Sequence, residues 1–452
     1  MTPVAHKVRA DAEPPQPRRR LGWAAALMVL LGVDLGAVVA IALARLPGDA
    51  TAPGGLALWG GRATGLLAQV LVLALVLLAA RVPLLERAVG QGRLLRWHRW
   101  LAPAAIVALV AHPLLLAAGY SGGWWSSLMS LGSTTADALV GTGLFLLAAG
   151  LSVRLVRRRL PYEGWHLLHL TTYAAVVLVF LHQLTAGTAV LSNGVLRTWW
   201  LAQLVAVLLA SLAFRVALPL WRSARHDVRV AAVRCESPDV VTVAFTGRGL
   251  ERLGASGGQF LGWRFLDATH WWRAHPFSLS AAPTGFTLRI TARQVGDGTR
   301  LFDDLRPGTR VLVEGPYGVL TAASRSTDRL LLIGAGLGIA PLRALLEGLP
   351  LHVDTVVVQR ASSAADAVLH DELQALVRER PDTRVELVTG PRGAAGDPDR
   401  PLGPRSLRRL CPDLGDREVF LCGPPALTSD LIHTLRQLGV PRSRLHSESF
   451  EL

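Results

Sequence analysis

Five histidines embedded in long apolar runs constrain this chain more than any other feature: His98, His112, His166, His169 and His182. The first half carries six such runs, at about 21–45, 61–83, 97–119, 135–156, 164–185 and 199–220. Each is long enough to cross roughly 30 Å of hydrocarbon as an α-helix rising about 1.5 Å per residue. An ionisable side chain at such a place is costly, so it marks a functional site. His98 and His112 lie on the third run and His169 and His182 on the fifth, each pair spread over about 20 Å of helix axis.

Basic residues orient the runs. Arg18, Arg19 and Arg20 precede the first, Arg81, Arg87, Arg93, Arg96 and Arg99 separate the second from the third, Arg154 and Arg157 to Arg159 separate the fourth from the fifth, and Arg215, Arg222 and Arg225 follow the sixth. The alternate loops are nearly free of positive charge, which places both termini in the cytoplasm of a multi-pass cell-membrane protein whose first partner is lipid. His98 and His169 then share an inner depth, and His112 and His182 an outer one. Two facing histidines at one depth can supply both axial ligands of a haem, and two such levels make a stacked pair. One detail resists: thirteen residues leave His169 and His182 about 140° apart on an ideal helix, so a bulge, bend or tilt is expected there. His166 does not cure the mismatch and reads as a neighbour, a propionate partner. A metal channel or transporter can also line its path with histidines, though it has no need of two matched layers.

At 452 residues, with 51% hydrophobic and 18% charged, the chain implies two or three domains with membrane and soluble portions in sequence. The net charge of +14 is nearly all arginine, Lys7 being the one lysine, and much of the first half's excess lies in loops beside the apolar runs. This argues against nucleic-acid binding. Cys235, Cys411 and Cys422 have no metal-ligand spacing, which argues against a disulfide framework or a cysteine-ligated iron–sulfur cluster. The first apolar run continues to about Leu46, too long for a signal peptide, and reads as a retained helix.

The soluble half changes rhythm twice. From His226 to about Ser324, short β-branched runs at Val240 to Thr246, Gln259 to Phe265, Phe286 to Arg293 and Arg310 to Glu314 suggest an antiparallel β-barrel. From Asp328, apolar strands at Leu330 to Ile333, Thr355 to Gln359, Arg384 to Val388 and Glu418 to Leu421 alternate with helical segments, the pattern of a parallel α/β sheet. The expected organisation is a tail over 1–20, a six-helix transmembrane bundle over 21–222, a barrel over 225–324 and an α/β domain over 328–452.

Motifs sit at the expected junctions. His275-Pro276-Phe277-Ser278 offers a ring to pack against a flavin and a hydroxyl for its edge. Arg293 with Gly296 and Thr299 offers a cation, freed amides and a hydroxyl suited to a pyrophosphate; a plain glycine turn reads equally well. Gly334, Gly336, Gly338 and Pro341 follow a clean strand and open a helix, and Cys422-Gly423-Pro424 ends the last strong strand of the same sheet. Arg360 and Ser362 close a strand that has no carboxylate at its tip, which favours NADPH over NADH.

Taken together these motifs resemble the ferric reductase and NADPH oxidase superfamily over residues 20–452. The resemblance implies a ferric-reductase-like transmembrane domain fused to a ferredoxin-reductase-type FAD and NAD(P) dehydrogenase. It makes His98 and His169 the inner and His112 and His182 the outer ligands of two haem b. It makes His275 to Ser278, Arg293, Gly296 and Thr299 FAD contacts, and Gly334 to Pro341 with Cys422 to Pro424 nicotinamide contacts. Phe450 resembles the C-terminal aromatic that shields the flavin, although Glu451 and Leu452 follow it here. The expected activity is electron transfer from cytoplasmic NAD(P)H through FAD and the haems to a small acceptor outside, a ferric chelate, with Arg62 as an acceptor or propionate contact. A superoxide-forming oxidase is the near alternative, weakened because Leu116 stands one turn beyond His112, where oxygen-reducing members often have histidine. An electron-transfer module feeding a protein partner is the other.

Overall fold

A computed structural model describes residues 29, 32–44, 51, 53–120, 135–157, 159–160, 162–186, 194–267, 273–294, 302, 305–391, 393 and 397–449. Arg18 to Arg20, Gly296, Thr299 and Phe450 lie outside the described residues. The chain divides between Ala217 and Leu218 into two compact units.

The first unit is helical. Among the described residues its helices are α1 (Gly32–Ala44), α2 (Gly55–Ala79), α3 (Pro83–Val89), α4 (Gln91–Gly119), α5 (Ala136–Ser152), α6 (Tyr162–Ala186) and α7 (Gly194–Leu212). α7 continues through a π-helical turn, Ala213–Ala217, into α8 (Leu218–His226). Among the described residues four helical segments are long and apolar enough to cross a membrane, α2, α4, α6 and Gly194–His226; α1 and α5 are shorter apolar helices. α2 starts earlier than the sequence suggests and stops at Ala79, because Arg81 takes φ 59° and Pro83 opens α3. α2 and α4 pack closely through small residues: a Cβ on Gly61 would stand 2.8 Å from the Leu116 side chain.

The second unit begins with two three-stranded antiparallel sheets. Their strands are β1 (Arg229–Ser237), β2 (Val240–Thr246), β3 (Phe260–Phe265), β4 (His275–Ser278), β5 (Thr287–Arg293) and β6 (Val311–Tyr317), in the orders β1-β2-β5 and β4-β3-β6. Single bridges join the sheets, Arg229 to Arg310 and Leu279 to Ile290. Val243, Phe245, Leu261, Trp263 and Ile290 fill one shared core.

A five-stranded parallel sheet follows, built from β7 (Arg329–Ala335), β8 (Asp354–Arg360), β9 (Thr383–Val388), β10 (Glu418–Gly423) and β11 (Leu445–Ser449) in the order β11-β10-β7-β8-β9. Both faces are covered, as a parallel sheet requires. Leu330, Leu332 and Val357 pack with α9 (Ile339–Glu347) and α10 (His370–Arg378), while Leu331, Ile333 and Val356 pack with α11 (Pro404–Leu410) and α12 (Pro425–Gln437). Strands β1, β4 and β11 add to those legible in the sequence.

Two ion-pair clusters tie this unit together. Arg289 of β5 forks onto Glu372 of α10 at 2.8 and 3.0 Å, and Arg343 of α9 reaches the same carboxylate and the Ser280 carbonyl. At the amino end of the parallel strands Arg417, 3% exposed, is held by Asp354 and Asp413 at 2.8–2.9 Å and donates to the Leu330 carbonyl. Removing it strands two carboxylates and a buried carbonyl. Arg417→Leu is expected to lower stability by about 3 kcal/mol, the low end for a broken buried pair because the carboxylates reach solvent; a urea midpoint unchanged from wild type would contradict this.

Candidate functional site

In the helical unit the four spaced histidines meet in two pairs. The rings of His98 and His169 have centroids 6.3 Å apart at 68°, and those of His112 and His182 lie 5.9 Å apart at 62°. Two imidazoles bound to opposite sides of one metal at about 2 Å per nitrogen would have centroids roughly 6 Å apart, so both separations fit a shared axial metal. Of the bulge, bend or tilt expected in the fifth span, no bulge is seen: α6 is continuous from Tyr162 to Ala186. The partner helix α4 is continuous too, with Pro103, which lacks the N–H for a helical bond, between His98 and His112.

The second ring nitrogens decide what the first can do. His98 donates Nδ1–H to the Leu75 carbonyl at 3.0 Å, His112 to Gly61 at 2.6 Å and His182 to Val179 at 2.9 Å. A carbonyl only accepts, so Nδ1 carries the proton in these three and Nε2 keeps its lone pair for a metal. His169 Nδ1 is buried with no hydrogen-bond partner among the described residues. Gly65 makes the outer arrangement possible, since a Cβ there would lie 2.6 Å from His112 Nδ1. Among the described residues no group of three or more His, Cys, Asp or Glu could hold a metal ion. His166 lies outside both pairs, its ring 6.3 Å from that of Trp165. Arg62 follows Gly61 on α2 and is half-buried.

In the second unit β4 carries His275-Pro276-Phe277-Ser278. Alternation sends His275 and Phe277 to one side, where their rings stack at 5.9 Å and Phe277 meets Phe302 at 5.4 Å. Ser278 faces the other way, and its buried Oγ has no hydrogen-bond partner among the described residues, the kind of orphan that a bound flavin edge would satisfy. Arg293, at the end of β5, pairs with Asp239 at 3.0 Å.

The strand order reverses between β7 and β10, and a crevice at the carboxyl ends of such strands is where α/β sheets bind ligands. There the structure brings Gly334 to Pro341 beside Cys422 to Pro424: Gly334 and Cys422 are register partners, and a Cβ on Gly338 would lie 2.1 Å from the Cys422 carbonyl. Gly336 has φ +56° with open space around its Cβ position, leaving backbone amides approachable. Arg360 departs from its expected role. Its guanidinium is buried and donates to the carbonyls of Ala361, Val388, Gly390 and Pro391, so it braces the β8 and β9 ends, while Ser362 is exposed.

One residue escaped the sequence reading. Glu448 of β11 is the register partner of Cys422, accepts the Val319 N–H at 2.8 Å and encloses Oε2 without a partner among the described residues. Gly318 has φ +97°, and a Cβ there would lie 2.6 Å from the carboxylate. Burial pushes the Glu448 carboxyl up to about 7 and, with Glu448 beside it, pushes the Cys422 thiol well above its ordinary range. The signal available in the sequence was its place two residues before Phe450.

The candidate residues thus comprise paired histidines in an apolar helical unit and, in the second unit, glycine-rich loops at the carboxyl ends of parallel strands. Residues 64–180 match the family described as ferric reductase like transmembrane component. The chain is also similar to the glycine betaine monooxygenase reductase subunit of Chromohalobacter salexigens, 27% identical over 51% of this chain, and to an NADPH oxidoreductase of Mycobacterium tuberculosis, 26% identical over 55%. The chain spans 65% and 66% of those two relatives, just under two thirds of each. Among solved structures, a ferredoxin NADP+ reductase from Neisseria gonorrhoeae aligns with a TM-score of 0.40 and 21% identity, covering 49% of this chain and 97% of that one. A match to a ferric-reductase-like transmembrane component and a similarity to reductase subunits thus occur in one chain.

Glu448 gives this site a pH signature. Its folded value lies above the model-peptide range, so its contribution to stability is full below about pH 4.5 and is lost as pH rises through about 7. Glu448→Gln should flatten the fall of the melting temperature between pH 5 and 8; parallel wild-type and variant profiles would disprove the assignment.

Proposed function

We propose that the protein carries electrons from cytoplasmic NADPH, through FAD and two b-type haems, to a ferric chelate on the far side of the cell membrane. The single observation that carries this reading is the meeting of four histidines in two pairs, three of them with Nδ1 committed to a backbone carbonyl. His98 and His169 would hold the inner haem and His112 and His182 the outer one. A bound flavin would supply the conversion between a two-electron hydride donor and one-electron haem acceptors.

The chain's own residues do the rest. Ser278 offers a hydroxyl to the flavin edge, and Arg293, with Gly296 and Thr299 of the same sequence motif, is assigned to its pyrophosphate. Gly336 and Gly338 let the backbone approach the donor's phosphates, Cys422 and Gly423 border its nicotinamide, and Phe450 covers the flavin ring. Ser362 is the exposed hydroxyl for a 2′-phosphate, with Arg360 ordering the loop around it. In the same reading residues 21–222 form a six-span bundle with both termini cytoplasmic, the two inter-sheet bridges close residues 225–324 into one barrel, and residues 328–452 bind the donor. Arg62, next in sequence to the Gly61 that accepts from His112, is assigned to the acceptor or a propionate.

Two experiments test this. The purified chain should contain two b-type haems, and His112→Ala or His182→Ala should remove one while NADPH still reduces the flavin; one haem or none in the wild type would refute the ligand assignment. NADPH-driven reduction of a ferric chelate should persist without oxygen and with superoxide dismutase present. Its disappearance under either condition would make superoxide the product.

A further inference from the structure

We infer that Trp165 is a positioning residue for the inner histidine pair: it fixes the ring of His169 by stacking, in place of the backbone hydrogen bond that orients the other three paired histidines. The inference rests on the haem reading above and concerns how one of its two sites differs from the other.

The asymmetry lies in the second ring nitrogens. His98, His112 and His182 each give Nδ1–H to a carbonyl, whereas His169 Nδ1 is buried and has no partner among the described residues. An imidazole without that bond can rotate about its side-chain torsions unless something else holds its plane. Trp165 supplies the hold. It stands four residues before His169 on α6, a spacing that places both side chains on one helix face, and the two rings stack at 5.1 Å and 18°.

The indole is itself pinned. Its Nε1–H donates to Ser152 Oγ at 3.1 Å, and that hydroxyl donates onward to the Ala148 carbonyl at 2.7 Å, so the bond has one direction. The Arg157 guanidinium lies 4.6 Å from the centre of the indole ring, within cation–π range. Ser152 and Arg157 thus lock Trp165, and Trp165 locks His169.

Two chemical consequences follow. A histidine whose Nδ1–H has no acceptor is a weaker electron donor to its metal than a hydrogen-bonded one, and so stabilises the oxidised metal less. The Arg157 cation near the stack acts in the same direction. Trp165 therefore sets both the plane of His169 and the potential of the site it serves, by keeping water from Nδ1.

The full-length protein in nanodiscs provides the test, read by haem content, low-temperature EPR of the ferric state and a redox titration. Ring planes at 68° and 62° predict strongly anisotropic low-spin signals for the wild type. Trp165→Leu should change the anisotropy of one signal and shift one midpoint to more negative potential, leaving the other of each unchanged. Trp165→Phe, which keeps an aromatic face, should restore the wild-type signal. Loss of one haem from Trp165→Leu with retention in Trp165→Phe also supports the role. Two unchanged signals and midpoints in Trp165→Leu, or equal loss of haem from both variants, would overturn it. Failure of the underlying reading shows differently, as a wild-type chain without two haems.

Discussion

The donor capacity of an imidazole inside an apolar bundle is the constraint on which the helical unit depends. A histidine there is stabilised by giving its N–H to an acceptor, and α2 offers helix carbonyls at two levels, Gly61 and Leu75, to two histidines of one facing helix. Reaching them demands close approach of α2 and α4, which glycine at 61 and 65 permits. The same bonds settle the tautomer and leave Nε2 directed elsewhere. Helix packing, proton position and ligand availability are therefore one arrangement, and a side chain at Gly65 would disturb all three.

The second unit meets a different requirement, that a pair of antiparallel sheets and a parallel sheet hold their loops in one place. Its solution is electrostatic as well as apolar. Arg289 and Arg343 reach from β5 and α9 to a single carboxylate, Glu372, and Glu347 accepts the Ala282 N–H just beyond the flavin-type strand. The charges are partly enclosed and each has more than one partner, the condition under which such pairs specify geometry.

Much of this was legible in the sequence, for identifiable reasons. The histidine pairs followed from spacing and charge bias, since depth along a helix is linear in residue number. The β7 loop followed from an apolar strand ending in glycines. The elements that escaped are those with weak local signals. β11 reads Leu-His-Ser-Glu-Ser and is a strand because β10 pairs with it; β4 is four residues with a proline; β1 is broken by two register shifts. Glu448 was hidden with β11, because only tertiary pairing sets it against Cys422. Arg360 misled for the opposite reason: a cation at a strand tip suits a phosphate equally well, and the neighbouring carbonyls claimed it.

The carbonyl bonds to His98, His112 and His182 are made entirely by the polypeptide. The coordinating atoms are therefore already spaced and aimed before any metal arrives. In small zinc domains the metal organises the chain, and its binding energy is spent on folding. On the reading proposed above, little would remain to be organised, so a group held between these histidines would forfeit little conformational entropy on insertion and would keep its binding energy as affinity. Folding of the chain and loading of the group could then be separate events in time.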